Sequence, residues 1–241
     1  MSVESGTELE LADWRRQVSD LYAEVRRLAA GDPDAALTVW RAERERLYRD
    51  HPVSPVPEGE RANFRSRHFP PDPSLRFEVT VRLEVQADQP APAPGAASPP
   101  VPGLPLNAAQ SLGAGPPLGG PISLPNSGAD TLSFRRIGSI EIPFADRPRT
   151  LSLFWMEDYS GGLFLPFRDA TSGRETYPAG RYLLDTAKSA DLGGSTDRSS
   201  LIIDFNFAFQ PSCAFDPKWA CPLAPPENRL DLPIRAGERI A

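Results

Sequence analysis

Short β-type segments separated by turns make up most of the C-terminal half of the sequence. They are LSFRRIGSIEI (132–142), RTLSLFWME (149–157), GLFLPFRDA (162–170), GRYLLD (180–185) and SLIIDFNFAF (200–209). Each is rich in β-branched or aromatic residues and is bounded by Gly, Pro, Asp or Ser, which is typical of strands. No helical pattern lies between them, so consecutive strands are expected to run antiparallel. The sequence therefore predicts a mainly β fold, an antiparallel β-sandwich or barrel.

One more strand is predicted earlier in the chain, at RFEVTVRLEV (76–85). Its apolar side chains, from Phe77 to Val85, alternate with polar ones such as Glu78 and Thr80. Successive side chains of a strand point to opposite faces of the sheet. We therefore expect a strand with one face in the core and the other in water.

The N-terminal part of the sequence carries a helical pattern. In residues 8–30, Leu, Trp and Val recur at spacings of three and four, which predicts an amphipathic helix that ends at Gly31. Asp32 then caps a second helix, which has Pro33 at its first position and continues to about His51.

The two helices are expected to form a unit of their own. Glu43 and Arg44 fall on nearly the same side of the second helix, where we expect a solvated ion pair at the rim of the packed face. We predict that residues 1–52 are a helical pair packed on one end of a single β domain, residues 53–241.

A long uncharged stretch interrupts the predicted β domain. Residues 89–129 contain no Asp, Glu, Lys or Arg, and eleven of these 41 residues are proline. Such a stretch has too few large apolar side chains to offset the entropy lost on ordering. The sequence therefore predicts that residues 88–129 form a flexible Pro/Gly-rich insertion.

The charge and hydropathy patterns limit the kinds of partner that the protein is expected to bind. The net charge is −6 and no basic block is present, so no nucleic acid is expected to bind. No run approaches the roughly 18 apolar residues of a membrane span, and the acidic N-terminus has no apolar signal segment. We expect a cytoplasmic protein that does not associate with a membrane, and the sequence indicates no oligomeric state.

The only cysteines, Cys213 and Cys221, lie close together in PSCAFDPKWACP. A structural zinc ion takes four ligands, and the two histidines are far away in the sequence, so we predict no metal site. Two buried free thiols are the usual state in a reducing compartment, and a disulfide across this short loop is the alternative. As a nucleophile, Cys213 lacks an evident base.

A pair of polar residues stands out in the last predicted strand. Asp204 and Asn206 lie two residues apart and so share one face of an apolar strand, opposite the aromatic face. Both are poor strand formers, and burying them without partners is costly. Their face is therefore expected to border either solvent or a cavity.

A second polar group lies in FRDATSGRETYPAGRYLLD (167–185). Asp169 fits ordinary turn chemistry, in which short polar side chains bond to nearby backbone amides. The turn does not require the residues that follow, Glu175, Tyr177 and Arg181. Arginines beside acids bind a carboxylate or phosphate ligand as readily as they bind each other.

Three stretches of the sequence carry a family resemblance. They are FLPFRDATSGRETYPAGRYLLD, LIIDFNFAFQPSCAF and CPLAPPENRLDLPIRAGER, and the predicted helix WRAERERLYRDHPVSP adds to them. Together they resemble the DUF1684 family. The family has no established activity, so the resemblance implies a fold and a set of distinctive positions. The polar ones among those positions include Asp169, Glu175, Tyr177, Arg181, Tyr182, Asp204, Asn206 and Asn228.

From these residues we expect a polar small-molecule pocket at one end of the β domain. As catalytic residues we predict Glu175 and Asp204, either of which would act as general base if burial raised its pKa. The predicted substrate-binding residues are Arg168, Asp169, Tyr177, Arg181, Tyr182, Asn206 and Asn228. The reaction would be hydrolase- or lyase-like without a nucleophilic triad, and the sequence identifies no cofactor. The alternative is a non-catalytic module, either ligand-binding or structural.

Overall fold

The structure is a computed structural model that describes residues 7–84, 122–124, 127, 132–157 and 161–240. Its helices are α1 (Thr7–Ala29), α2 (Pro33–Asp50) and α3 (Glu58–Arg61). Its strands are β1 (Arg76–Leu83), β2 (Ile122–Ser123), β3 (Ser133–Pro143), β4 (Pro148–Met156), β5 (Gly162–Phe167), β6 (Arg181–Asp185) and β7 (Ser200–Asp204). Short 3₁₀ helices span Pro73–Leu75, Thr186–Lys188, Phe205–Phe207, Ser212–Ala214 and Pro226–Asn228. In this described part of the chain, no helix has both the length and the apolar character of a membrane span.

The strands form one antiparallel sheet. Six of them follow the order β6-β5-β4-β3-β1-β7, and the two-residue strand β2 pairs with β3. The sheet is curled into a half-barrel. A bulge in β3 between Arg136 and Gly138 shifts the register with β4, and bulges increase the local bend and twist of a strand. The predicted mainly β, antiparallel fold with N-terminal helices is confirmed.

Three apolar clusters form the core, namely two large ones and a small one of Leu47, Tyr48 and Val56. One is built largely from sheet residues, including Ile140, Leu165 and Phe205. The second large cluster joins the helices to the sheet, because Trp40 of α2 is fully buried and its ring centroid lies 5.3 Å from that of Phe207. The helices and the sheet therefore share buried contacts, and the division into a helical pair and a β domain stays a prediction.

Two strands end earlier than the sequence pattern indicates, so the predicted strands 162–170 and 200–209 are too long. β7 ends at Asp204, whose carboxylate accepts a hydrogen bond from the backbone N–H two residues later at 2.9 Å. β5 ends at Phe167, and the carboxylate of Asp169 then accepts hydroxyl hydrogen bonds within a tight turn. Side chains of this kind compete with the strand ladder for backbone groups.

The end of the chain, residues 225–240, is called the C-terminal segment below. It carries no strand, but its backbone is bonded to the rest of the fold. Leu230 N–H donates to the carbonyl of Arg168 at 2.8 Å, and Glu238 N–H donates to that of Ala208 at 2.8 Å. The segment thus lies against the turn after β5 at one end and against the residues after β7 at the other.

A buried ion pair links the C-terminal segment to the helices. The Arg44 guanidinium of α2 lies 2.5 Å from the Glu238 carboxylate and also stacks over the Tyr48 ring at 4.5 Å. The predicted solvated pair of Glu43 with Arg44 is therefore wrong, because Glu43 pairs with Arg46 one turn away. Burial of Arg44 follows from its position between aromatic rings, which the helical pattern alone does not reveal.

Most of the predicted insertion, residues 88–129, lies outside the described residues. The exceptions are residues 122–124 and 127. Ile122 pairs with Phe134 in the short ladder between β2 and β3. This end of the insertion therefore returns to the sheet beside β3.

We expect replacement of Gly237 by Ala to destabilise the fold. Gly237 has φ +73°, and a Cβ there would lie 2.5 Å from the carbonyl oxygen of Ala208 and 2.7 Å from that of Phe205. Backbone strain and these clashes should lower the free energy of unfolding by roughly 2–4 kcal/mol. Urea unfolding followed by circular dichroism measures the change.

The matched control is Gly59→Ala in α3. No atom lies within 4 Å of a Cβ placed at Gly59, so the variant should be as stable as the wild type or slightly more stable. Equal effects of the two substitutions would contradict the close approach described for Gly237.

A second prediction concerns pH. Burial lowers the pKa of His68, on the connector before β1, to about 4, so the folded protein disfavours the protonated imidazole. The unfolded chain binds this proton near pH 6.5, so the free energy of unfolding should fall as the pH falls from about 6.5 to 4. Replacement of His68 by Gln should flatten that slope, as measured by urea unfolding at several pH values. If the free energy of unfolding of the variant depended on pH as steeply as that of the wild type, the assignment of this pH dependence to His68 would be wrong.

Candidate functional site

Arg181 begins β6, and its guanidinium is buried with a side-chain exposure of 1%. It donates hydrogen bonds to three carbonyls of the C-terminal segment, those of Ile234 at 2.9 Å, Glu238 at 3.0 Å and Ala236. Burial lowers the pKa of Arg181 to about 10, which leaves the group charged at neutral pH. Arg181 therefore satisfies backbone acceptors of this protein.

Asp169 lies beside Arg181 and is also buried. Its carboxylate is 3.6 Å from the guanidinium, accepts the Ile234 N–H at 2.6 Å and accepts the Thr171 hydroxyl at 2.8 Å. The charge of Arg181 is thus compensated by a carboxylate that also holds the C-terminal segment. The pair of Asp169 and Arg181 forms the first group of predicted site residues.

Asp204 and Asn206 form a second group at the end of β7. The Asn206 side chain donates to Asp204 at 2.8 Å and makes two hydrogen bonds of 2.8 Å with the backbone of Asp72. Asp204 also pairs with Arg76 of β1 at 3.2 Å. These bonds fasten the connector before β1 to the end of β7.

Three further predicted residues each bond to the backbone of another segment. Asn228 exchanges two hydrogen bonds with the backbone of Ser152 in β4, at 2.7 and 2.9 Å. The Tyr182 hydroxyl donates to the Pro222 carbonyl, and the Tyr177 hydroxyl donates to a carbonyl in the loop after β7 at 3.3 Å. These contacts join strands to loops.

Glu175 and Arg168 are the remaining predicted residues. Glu175 is 34% exposed at its side chain and binds Arg235 through contacts of 2.9 to 3.2 Å. Hydrogen bonding from Arg235 lowers the pKa of Glu175, so this carboxylate is ionised at neutral pH. The Arg168 side chain is partly buried, with an Nε that has no hydrogen-bond partner among the described residues.

The nine predicted residues are thus distributed over separate contacts. Asp169 with Arg181, and Asp204 with Asn206, come together, whereas Glu175 lies apart with Arg235. None of the nine lines either of the two cavities considered below.

One of these cavities, of about 280 Å³, lies beside the end of the chain and is called the C-terminal cavity below. Its lining includes Phe64, Arg65, Arg67, Gln210, Phe215 and Arg239. The aromatic rings of Phe64 and Phe215 pack edge to face, with their centroids 5.8 Å apart, and form an apolar wall. The cavity therefore combines an apolar wall with several cationic side chains.

The charges around the C-terminal cavity are unbalanced. Within the described residues, no carboxylate oxygen lies within 4.0 Å of the guanidinium nitrogens of Arg67 or Arg239. Glu238, which also lines the cavity, is already paired with Arg44 and accepts the Gln210 N–H at 2.7 Å. The side chains that line the cavity therefore carry a net positive charge.

The second cavity, of about 450 Å³, is a groove between the start of α1 and the end of α2. Its lining holds the acids Glu10, Asp13 and Asp50 beside Arg46 and His51. Most of these groups already have partners: Arg46 pairs with Glu43, Asp50 pairs with Arg49, and Asp13 lies 3.3 Å from His51 Nε2, so the groove indicates no particular ligand.

The residues of the C-terminal cavity were not among the predicted site residues. They lie in RANFRSRHF (61–69), a proline-flanked connector, in the stretch after β7 that holds Gln210, Ala214 and Phe215, and in the last residues of the chain. The sequence did contain a signal for a basic site, because three arginines fall within seven residues of this connector in an acidic protein. What the sequence does not show is that the connector meets Phe215 and Arg239.

Comparison with known proteins identifies the family. A family model described as a protein of unknown function, DUF1684, matches residues 117–239, just over half of the chain. An uncharacterized protein from Haloarcula marismortui, whose structure was solved by solution NMR, is 28% identical. That structure matches with a TM-score of 0.53 and covers 86% of this chain and 94% of its own. No curated protein matches the chain. The chain therefore belongs to the DUF1684 family.

Proposed function

We propose that the protein binds a small anionic molecule with an apolar body in the C-terminal cavity. The observation that carries this proposal is the pair of guanidinium groups, Arg67 and Arg239, that lack a carboxylate partner among the described residues. Arginine binds carboxylate and phosphate groups through two parallel hydrogen bonds. An anionic group of a ligand would supply the partner that the protein does not.

The size and walls of the cavity define the ligand further. A volume of about 280 Å³ is close to the lower end of small-molecule sites, which span roughly 300–1,000 Å³. Phe64 and Phe215 offer an apolar surface to the body of the ligand. The chemistry that fits is a monoanionic or dianionic head, such as a phosphate or carboxylate, on a small flat apolar group.

We favour binding over turnover for this site. The predicted general base Glu175 has a lowered pKa because it is hydrogen-bonded to Arg235, whereas a general base works best with a pKa near the working pH. Asp204 is occupied by Asn206 and Arg76. Catalysis by Glu175 or Asp204 in a hydrolase- or lyase-like reaction therefore receives no support from the surroundings of either carboxylate.

The proposal predicts selective binding of phenyl phosphate, used as a probe. We expect phenyl phosphate to raise the melting temperature and to bind in isothermal titration calorimetry, whereas benzylamine, which carries the opposite charge, should not. The double variant Arg67→Ala with Arg239→Ala should weaken phenyl phosphate binding at least about tenfold, because both charge-assisted contacts are lost.

Two control variants test whether Arg67 and Arg239 specifically bind phenyl phosphate. Arg15→Ala removes an exposed arginine of α1 that does not line the cavity and should bind phenyl phosphate as the wild type does. Glu175→Gln removes the exposed pair with Arg235 and one negative charge near Arg239, so it should leave binding unchanged or slightly stronger. Equal binding of benzylamine, or wild-type affinity in the double arginine variant, would contradict the proposal. Release of phosphate that Glu175→Gln abolishes would instead support a catalytic role.

A further inference from the structure

One neutral side chain of the C-terminal cavity is buried but poorly paired. Gln210 lines the cavity and is exposed over only 7% of its surface. Its backbone N–H donates to the Glu238 carboxylate at 2.7 Å, which fixes the main chain at this position. The side-chain amide, in contrast, makes one long contact, from Nε2 to the Arg239 carbonyl at 3.4 Å. Ordinary N–H···O hydrogen bonds in proteins are about 2.7–3.2 Å long.

The oxygen of this amide has no donor within the part of the chain that the structure describes. No described N–H or O–H group lies within hydrogen-bonding distance of Gln210 Oε1. The contact of Nε2 with the Arg239 carbonyl also identifies which end of the amide is the oxygen, because the reverse orientation would bring two oxygens together. Burying an amide oxygen without a donor costs free energy. A ligand with a hydrogen-bond donor would remove that cost.

The other polar groups of the cavity lining are already paired, apart from the arginines. Ser66 donates its backbone N–H and its hydroxyl to Glu45, at 3.0 and 3.1 Å. Glu238 is bound to Arg44. Among the described lining residues, Gln210 is therefore the neutral polar side chain that remains open to a ligand.

Gln210 lies next to the two arginines of the proposed anion site. Its Nε2 contacts the Arg239 carbonyl, and the Arg239 N–H donates to the Arg67 carbonyl at 2.9 Å. All three side chains line one small cavity, so a bound molecule meets them together.

We propose that Gln210 selects, at this site, an aromatic anion whose ring carries an O–H or N–H group, such as a hydroxyphenyl phosphate. The inference rests on the proposed function, in which the arginines bind the anionic head and the rings of Phe64 and Phe215 contact the aromatic body. The ring substituent then donates to Gln210 Oε1. A hydroxyl group suits this position because it also accepts a hydrogen bond from the remaining N–H of Nε2.

The test compares aryl phosphates of equal size by isothermal titration calorimetry of the full-length protein. The probes are meta- and para-hydroxyphenyl phosphate and their isosteres, meta- and para-methylphenyl phosphate, which lack the donor. We expect one hydroxyl compound to bind the wild type roughly three- to tenfold more tightly than the methyl compound with the same substitution, because a neutral hydrogen bond is gained. Gln210→Met keeps the length of the side chain without the amide and should abolish this difference.

The matched control is Gln17→Met, because Gln17 lines the groove between α1 and α2 and not the C-terminal cavity. This variant should keep the wild-type preference for the hydroxyl compound. A preference that survives in Gln210→Met would overturn the inference, as would equal affinities of the hydroxyl and methyl compounds in both substitution patterns. If Gln210→Met does not fold, the comparison of the four compounds in the wild type still decides.

The same titrations separate this inference from the proposed function. If neither phenyl phosphate nor any of the four compounds binds, the proposed function fails and the inference fails with it. If phenyl phosphate binds and the hydroxyl group brings no gain, only the selection by Gln210 is overturned.

Discussion

The fold depends on hydrogen-bond donors for the buried backbone of the C-terminal segment. That segment has no strand partner for much of its length, and its carbonyls at 234, 236 and 238 face the guanidinium of Arg181. Each buried carbonyl left without a donor costs roughly 1–3 kcal/mol, so one arginine stabilises three positions at once. Asp169 makes this burial of charge tolerable by lying 3.6 Å away and binding the Ile234 N–H.

The same segment carries the contacts that build the candidate binding site. Glu238 binds Arg44 of α2, and the next residue, Arg239, lines the C-terminal cavity. The connector that holds Phe64 and Arg67 is bonded to it as well, since the Arg239 N–H donates to the Arg67 carbonyl at 2.9 Å. The cavity thus forms where the connector, the stretch after β7 and the end of the chain meet, and the buried pair of Glu238 with Arg44 lies behind it.

Alternation and helix caps predicted the helices and the antiparallel sheet, because these signals are local in the sequence, and the resemblance of three sequence stretches predicted the family. The sequence also identified Arg181, which the preceding turn does not require, and Asn206, which is a poor strand former. Their partners could not be read from the sequence, since the acceptors are backbone groups of distant segments, as in the bond of Arg181 to the Glu238 carbonyl. The C-terminal cavity was missed for the same reason, because Arg67 and Arg239 meet only in the folded chain.

The most direct test of this account is amide hydrogen exchange of the C-terminal segment in Arg181→Lys and wild type. Lysine places a single ammonium where a planar guanidinium reaches three carbonyls. In the wild type, the amides of Ile234 and Glu238 should exchange only through global unfolding. In the variant they should exchange at least about tenfold faster than the amides of β3 and β4. Equal exchange rates in the sheet and in the C-terminal segment of both proteins would contradict the account that Arg181 stabilises this segment.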